Sequence, residues 1–300
     1  MLSDQDYVEI ERFRVKPGEI VDLKKYPTDY EGNRLNKADS AALLEAGIKH
    51  LTEVQEKLYA QDRYGVLIIL QAMDAAGKDS AIKHIMSGFN PLGVKVHSFK
   101  TPTPLELDHH YLWRHIVALP GRGEIAIHNR SHYENVLVTR VHPEYILNER
   151  LPGIDDVSKI KNEFWTNRFE QIKRFEQNIT EDGTIILKFF LHLSKKEQKK
   201  RFLERIEDPE KHWKFSLGDL KERQRWDDYQ TAYEEAISAT STEPAPWFII
   251  PSDDKWYARL AMAAIIYKQF KALNIEYPAL TDLEKEQLKQ GRDMLMNEDI

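Results

Sequence analysis

Short apolar runs alternate with amphipathic stretches along most of the chain. The runs have strand length and cover Val66–Leu70, Val94–Phe99, Glu124–His128, Thr184–Phe190 and Trp247–Pro251. Before and between them, apolar residues recur at helical spacing, which predicts helices over Ala38–Asp62, Asp79–Ser87, Leu105–Val117, Lys159–Ile179 and Leu217–Thr240. Apolar strands that alternate with helices are typical of a parallel sheet covered on both faces. We therefore predict an α/β fold in three layers around a five-stranded, mostly parallel sheet.

Three segments depart from this alternation. Residues 1–37 are polar and rich in turn residues, which predicts an extended N-terminal arm lying on the body. Residues 191–226 are heavily charged and interrupted at Pro209, so we expect a helical lid that projects from the sheet as a mobile cover. Residues 281–300 predict a polar amphipathic helix for packing or oligomer contact. All three belong to one predicted domain, 1–300.

Composition narrows the class of protein. With 41% hydrophobic residues among 300, the chain can form a substantial core, which excludes a disordered or fibrous protein. Its apolar runs are far shorter than the roughly 20 residues of a membrane span, so no membrane association is expected. The absence of cysteine excludes disulfides and thiolate chemistry and fits a cytoplasmic location. The net charge of -6 argues against general nucleic-acid binding but allows a local basic groove for a polyanion.

Parallel sheets bind ligands at the carboxyl ends of their strands, and the first strand is followed by QAMDAAGKDS and then a helix. This is a variant of the G-x-x-x-x-G-K-[ST] loop, in which small residues let the backbone N–H groups surround a phosphate. Ala72 replaces the first glycine, and an aspartate replaces the usual serine or threonine. The alternative is a tight turn with an exposed lysine. The predicted phosphate-binding residues are Ala75, Ala76, Gly77, Lys78, Asp79 and Ser80.

Asp74 lies inside this loop, where its carboxylate would repel phosphate unless a cation lay between them. It either binds Mg²⁺ or accepts a proton from an acceptor group, and a solvated turn aspartate is the alternative. After the third strand comes NRSHYE, in which Asn129 stands where an acid often positions the metal. Arg130 suits bidentate phosphate binding, and Glu134 can supply the missing charge. An ordinary strand-end turn with a surface ion pair is the alternative for this segment.

Asp74 and Glu134 are thus the predicted ligands of Mg²⁺, with Mn²⁺ as a substitute. Magnesium usually takes only one or two carboxylates and keeps several waters, so this pair suffices. His128 and His132 also lie at this strand end, but alternate positions there often point to one side without sharing a ligand. We do not expect them to form a metal pair.

Lys100 and Arg114 follow the second strand and are further candidates for phosphate or nucleotide binding. Glu106, His110 and Arg114 have the four-residue spacing that places side chains on one face of the predicted helix. A packed helix with a satisfied Glu–His–Arg row is the alternative.

The lid region has an excess of positive charge. From Lys188 to Arg205, seven cationic side chains oppose two carboxylates. Arg201 and Arg205 are one helical turn apart and share a face, so they are candidates for binding a polyanionic substrate. A surface charge run of this kind normally serves only solubility.

Taken together, these motifs resemble the family-2 polyphosphate kinases from about Phe13 to Pro278. The matching segments are QAMDAAGKDS, KTPTPLELDHHYLWR, NRSHYENVLVTRVHPE, DPEKHWKFSLGDLKERQRWDDYQTAYE and APWFIIPSDDKWYARL. The resemblance implies a P-loop kinase-like fold with a helical lid, and phosphoryl transfer from inorganic polyphosphate to nucleotides with Mg²⁺. Many members have D-R-S where this chain has Asn129, so that acidic role is not assigned to it.

The N-R-S-x-Y-E form is similar to the subgroup that accepts both AMP and ADP and gives ADP and ATP, with GMP and GDP as further candidates. By motif match, Asp74 is implied to be a metal ligand or base and Lys78 a phosphate binder. The resemblance also implies that Arg130, Arg201 and Arg205 contact polyphosphate, and that the chain forms a dimer or tetramer.

Two other functions share parts of this pattern. A nucleoside or nucleotide kinase with ATP as donor would have the same loop but a dedicated nucleobase pocket in place of a long basic track. A nucleotide-sensing switch protein would bind nucleotide without turnover. The resemblance favours the polyphosphate kinase over both.

Overall fold

The computed structural model describes residues 8–32 and 35–298. Within them, the sheet has the strand order β2-β3-β1-β4-β5, and every pair is parallel. The α/β fold with a five-stranded sheet is therefore confirmed, and the sheet is parallel throughout. The strands are β1 (Gly65–Ala72), β2 (Val94–Ser98), β3 (Ile125–Asn129), β4 (Thr184–His192) and β5 (Trp247–Pro251).

Helices cover both faces of the sheet, because β1 alternates its apolar side chains between two cores. Val66, Ile68 and Leu70 belong to one core, and Leu67 and Ile69 belong to the other. The helices are α1 (Lys37–Gln61), α2 (Lys78–Ile85), α3 (Pro104–Leu107), α4 (Trp113–Ile116), α5 (Val138–Val141), α6 (Asn162–Glu181), α7 (Lys195–Glu207), α8 (Leu217–Gln224), α9 (Trp226–Thr240), α10 (Lys255–Ala272) and α11 (Asp282–Met296). The first core includes α1, α2 and α10, and the second includes α6 and α9.

The predicted helix Leu105–Val117 is wrong, since α3 and α4 are separate short helices. The ring of His110 accepts a hydrogen bond from the Leu112 backbone N–H at 3.2 Å, which competes with helical hydrogen bonding. Glu106, His110 and Arg114 therefore do not share one helix face, although Glu106 still pairs with Arg114 at 3.5 Å. The predicted helix Leu217–Thr240 is likewise divided into α8 and α9 at Arg225.

The chain termini and the lid segment lie as follows. Beside the sheet, Arg14 bridges Phe248 of β5 in antiparallel fashion, so the N-terminal arm covers that edge. Residues 1–7 and 33–34 of the arm and 299–300 of the last helix lie outside the described residues. Strand β4 runs to His192, so the first residues of the predicted lid belong to the sheet, and the charged segment then forms α7, a 3-10 turn (Pro209–Lys214) and α8. No helix in the described ranges is long and apolar enough to cross a membrane.

Lys188 contributes to the positive charge counted for the lid region, but it belongs to the predicted strand Thr184–Phe190 and lies fully buried in β4. Its ammonium donates to Glu176 Oε2 at 2.6 Å, to the Thr240 carbonyl at 2.8 Å and to the Tyr133 hydroxyl at 3.0 Å. Glu176 also accepts from Tyr133 and contacts the ring of His132. Burial lowers the pKa of Lys188, and the Glu176 carboxylate opposes that shift. This ion pair ties the segment after β3 to α6 and α9.

We expect Lys188→Met to lower the free energy of unfolding by about 3–5 kcal/mol, because the Glu176 carboxylate would stay buried without its partner. Lys173→Met on the same helix as Glu176 is the control. Lys173 is partly exposed and pairs with Glu170 on the helix surface, so its loss costs less than about 1 kcal/mol. Urea unfolding of both variants measures the difference, and equal midpoints would refute the role given to Lys188.

Candidate active site

The turn between β1 and α2 has a backbone shaped for anion binding. Ala75 has φ 62° and Gly77 has φ 104°, so two left-handed residues flank Ala76. A non-glycine residue in this region is strained and is often found at functional sites. Within the described residues, the backbone N–H groups of Gly77, Lys78, Asp79 and Ser80 have no hydrogen-bond acceptor. Free N–H groups at a helix N-terminus are ready to bind phosphate or another anion.

Lys78 lies beside these amides and is held in place by the end of β1. Its ammonium donates to the carbonyl oxygen of Ala72 at 3.0 Å. Burial lowers the pKa of Lys78, as does the nearby charge of Arg130, whereas Asp74 and Glu134 act in the opposite direction. These four charged groups, which sequence reasoning assigned to one site, therefore do lie close together.

Arg130 lies between the two carboxylates. Its own backbone has φ 63°, and its guanidinium lies 3.2 Å from Asp74 Oδ1 and 3.7 Å from Glu134 Oε2. The pKa of Arg130 is raised, mainly by Glu134. The pKa of Glu134 is raised by burial, although Arg130 and Lys78 oppose the shift. Asp74 and Glu134 thus both pair with the guanidinium of Arg130, near the turn between β1 and α2.

This pair of carboxylates fits Mg²⁺. Carboxylate oxygens are hard ligands, and magnesium takes one or two of them together with waters and substrate phosphates. In the described part of the chain, no cluster of three or more His, Cys, Asp or Glu side chains is arranged for a metal ion. Any ion here would consequently need oxygens from water and substrate in addition to carboxylates of the protein.

Asn129 stands opposite Asp79, and the two side chains are complementary. The Asn129 amide Nδ2 donates to Asp79 Oδ1 at 2.8 Å and lies 3.4 Å from the hydroxyl of Ser98. An aspartate at position 129 would bring a second carboxylate against Asp79. The departure in the loop, Asp79, and the departure after the third strand, Asn129, are therefore directly hydrogen-bonded to each other.

A large cleft, here called the basic cleft, opens over the turn. It has a volume of about 1030 Å³, and eight cationic side chains and four carboxylates line it. Its charged lining residues are Asp74, Lys78, Asp79, Lys100, Arg130, Arg201, Glu204, Arg205, Lys211, Lys214, Asp219 and Lys255. The excess of positive charge suits a linear polyanion.

A second cavity, the aromatic cavity, adjoins the basic cleft and has a volume of about 310 Å³. Apolar atoms make up most of its wall surface. The apolar and aromatic side chains there are Phe99, Pro102, Leu107, Tyr111, Val138 and Tyr145, and the polar ones include Glu106, His109, Arg114, Glu134, Asn135, Thr139, Asn148 and Glu149. Phe99, Lys100, Thr101 and Arg130 line both spaces. The two cavities meet at Arg130.

The remaining predicted residues have different surroundings. Arg114 is buried, and its guanidinium donates to the Lys100 carbonyl at 2.9 Å. Arg205 lies 3.4 Å from Asp219 on α8. Arg201 touches the cleft but is buried and hydrogen-bonded within the protein. The hydroxyl of Ser80 accepts a hydrogen bond from Arg259 at 2.7 Å.

Sequence reasoning missed Lys255, Lys211, Lys214 and Asp219 in the cleft wall. Lys255 could have been predicted from the sequence, because it follows β5 and parallel sheets bind ligands at the carboxyl ends of their strands. Asp219 was not, since only the fold brings α8 near Asp74. Burial and the charge of Asp74 raise the pKa of Asp219.

We expect Asn129→Asp to lower the free energy of unfolding by about 1–2 kcal/mol in EDTA, because a hydrogen bond to a charged group becomes a repulsion between carboxylates. Asp79→Asn combined with Asn129→Asp restores one donor and one acceptor and should recover most of the loss. Urea denaturation measures all three proteins. A single variant as stable as wild type, or a double variant no better than the single, would contradict this pairing.

Comparisons with known proteins identify the family of this chain. The family model for Polyphosphate kinase 2 (PPK2) matches residues 34–278. The ADP-polyphosphate phosphotransferase of Rhodopseudomonas palustris is 47% identical over 289 residues, covering 96% of this chain and 99% of that protein. The AMP/ADP-polyphosphate phosphotransferase of Meiothermus ruber is 42% identical over 273 residues, covering 90% of this chain and 96% of that protein.

Among solved structures, the crystal structure of Polyphosphate Kinase 2 from Arthrobacter aurescens TC1 superposes with a TM-score of 0.83 at 38% identity. The match covers 93% of this chain and 96% of that one. Matches over nearly the full length, in sequence and in structure, leave one assignment: the chain belongs to the polyphosphate kinase 2 family.

Proposed function

We propose that this protein is a polyphosphate kinase that transfers a phosphoryl group reversibly from inorganic polyphosphate to AMP or ADP, giving ADP or ATP. The junction of the basic cleft and the aromatic cavity at Arg130 is the observation that supports it best. A donor and an acceptor bound in the two spaces would meet at one guanidinium. The relatives from R. palustris and M. ruber are named for ADP and for AMP/ADP as acceptors.

Polyphosphate is the ligand that suits the basic cleft. Its cationic residues extend from the turn at Lys78 to Lys211 and Lys214 of the lid segment, and a chain of phosphates presents negative charge along its whole length. The free amides of Gly77 to Ser80 would bind the oxygens of the phosphate nearest the reaction. In this arrangement Arg205 contacts the donor from the lid side.

The nucleotide suits the aromatic cavity. A wall surface that is mostly apolar and also carries polar side chains suits a nucleoside, and the rings of Tyr111 and Tyr145 line it. Asn135 and Asn148 have both donors and acceptors for its edge. Lys100 and Arg130 at the junction would bind the acceptor phosphates. GMP and GDP stay predicted as further acceptors.

The transfer itself is an in-line displacement. An acceptor phosphate oxygen forms a bond to the terminal phosphorus of polyphosphate, the bridging P–O bond breaks, and the shortened chain leaves as an anion. Lys78 and Arg130 hold the oxygens that gain charge, and positioning supplies most of the catalysis. An acceptor phosphate is already ionised at neutral pH, so Asp74 need not act as a base.

Asp74 and Glu134 are the residues that would hold Mg²⁺, with Mn²⁺ as its substitute. When bound, the ion neutralises charge on the phosphate oxygens. Closure of the lid over the cleft, assembly as a dimer or tetramer, and a cytoplasmic location stay predictions.

The choice of donor is tested by offering AMP or ADP with polyphosphate or ATP as the sole phosphoryl source, and measuring the product nucleotide by chromatography. We expect product with polyphosphate, and Lys78→Met should lower turnover on the order of 10²–10³-fold while circular dichroism is unchanged. Lys83→Met, an exposed lysine on the same helix, should leave turnover unaltered. Product from ATP and AMP alone would favour an ATP-dependent nucleotide kinase, and nucleotide binding without product would favour a sensor.

The acceptor site is tested by Val138→Phe, which places a larger side chain in the aromatic cavity. A clash of about 1–3 kcal/mol corresponds to a rise in the KM for AMP of roughly 5- to 150-fold. The KM for polyphosphate should not change, since Val138 does not line the basic cleft. Val157→Phe, at an exposed position outside both cavities, is the control. A higher KM for polyphosphate with an unaltered KM for AMP would reverse the assignment of the two spaces.

A further inference from the structure

Arg201 of α7 is saturated with hydrogen bonds inside the protein. A guanidinium has five N–H groups, and here they make five contacts of 2.6–3.1 Å. The acceptors are the side chain of Glu197 and the carbonyl oxygens of Ala75, Ala76, Ser252 and Asp253. Its side chain is only 3% exposed, so no donor is left for a substrate.

Gln198, the neighbouring residue on α7, extends the same contact. Its amide Nε2 donates to the carbonyl oxygen of Asp74 at 2.9 Å, and its Oε1 accepts from Arg223 of α8 at 2.6 Å. Three successive carbonyl groups of the turn, from Asp74 to Ala76, are therefore bound by α7.

The binding of these carbonyl groups fixes the direction of the amides. In a planar trans peptide, the C=O and the following N–H point in opposite directions. The Ala76 carbonyl points to Arg201, so the N–H of Gly77 points away from it. The N–H of Ala76 is used within the turn, at 3.3 Å from the Met73 carbonyl. These contacts also hold Ala75 in its strained left-handed conformation.

Arg205, one turn further along α7, is more exposed than Arg201 and is less tightly hydrogen-bonded. It lines the basic cleft, and its two contacts, to Asp219 and to the Lys214 carbonyl, are both long at 3.4 Å. Its donors are accessible to a phosphate chain. The two arginines that the resemblance treats as a pair thus have separate surroundings.

We propose that Arg201 is a positioning residue that holds the carbonyl side of the phosphate-binding turn, so that the amide of Gly77 and the first amides of α2 face the donor. It does not contact polyphosphate, whereas Arg205 does. Only the kinetic test of this inference rests on the proposed function.

The test compares Arg201→Met with Arg205→Met, using tripolyphosphate and a long-chain polyphosphate as donors. Arg201→Met should lower kcat by about 10²-fold with both donors alike, as a misplaced reacting group does. Arg205→Met should raise the KM for the long donor more than for tripolyphosphate and change kcat little. Arg201→Lys should recover little of the activity, because one ammonium cannot bind the carbonyl groups at 75–76 and at 252–253 together.

Hydrogen–deuterium exchange of the turn, measured by mass spectrometry without substrate, supplies a readout independent of turnover. The N–H groups of Gly77 to Ser80 have no acceptor among the described residues, so the peptide spanning 73–80 reports mainly on the N–H of Ala76, which donates to the Met73 carbonyl. Its exchange should be faster in Arg201→Met than in wild type and unaltered in Arg205→Met. If Arg201→Met does not fold, Gln198→Met, which removes one of the carbonyl contacts, should show the same two effects at smaller size.

Unaltered exchange, together with a loss that grows with donor length in Arg201→Met, would overturn the proposal and make Arg201 a substrate contact. A wild-type protein that transfers nothing from polyphosphate would overturn the proposed function instead. In that case the exchange measurement would still decide whether Arg201 holds the turn.

Discussion

The site depends on one constraint, the orientation of a few peptide groups between β1 and α2. A turn binds anions only while its N–H groups face the ligand, and this requires hydrogen-bond donors on the far side to hold the carbonyl groups. The central position of β1 in the sheet supplies a rigid start for the turn, and α2 supplies a rigid end. The contacts of Arg201 and Gln198 from α7 supply the support behind it.

The segment NRSHYE, which carries Arg130 and Glu134, is also held in place by hydrogen bonds on the side away from the cleft. Arg130 and Glu134 lie on a short segment whose intervening residues, His132 and Tyr133, are fixed by the buried Glu176 carboxylate. Lys188 compensates the charge of that carboxylate from the central sheet. The charged groups that face the cleft are thus held by a second set of polar groups in the core, and the pair Asn129–Asp79 connects the two motifs directly.

The sequence predicts what depends on local pattern. Apolar periodicity predicted the strands, and the small residues after β1 predicted the turn at Gly77. Because parallel sheets bind ligands at the carboxyl ends of their strands, Asp74 and Arg130 were expected in one site, and they form an ion pair. Two of the failures depend on contacts distant in sequence. The local sequence does not show that the charge of Lys188 is buried, because its partner Glu176 is on another element. Nor does it show that Arg201 binds carbonyl groups of two separate segments, at Ala75 and at Ser252. The break between α3 and α4 arose from a side-chain acceptor, which periodicity does not register.

The most direct measurement is a crystal structure of the protein with tripolyphosphate bound. We expect a phosphate oxygen within about 2.7–3.2 Å of the backbone nitrogens of Gly77 and Lys78, with the chain of phosphates running along the basic cleft toward Arg205. An anion bound elsewhere, with the backbone N–H groups of Gly77 and Lys78 still facing only solvent, would contradict the central claim that this turn binds the donor.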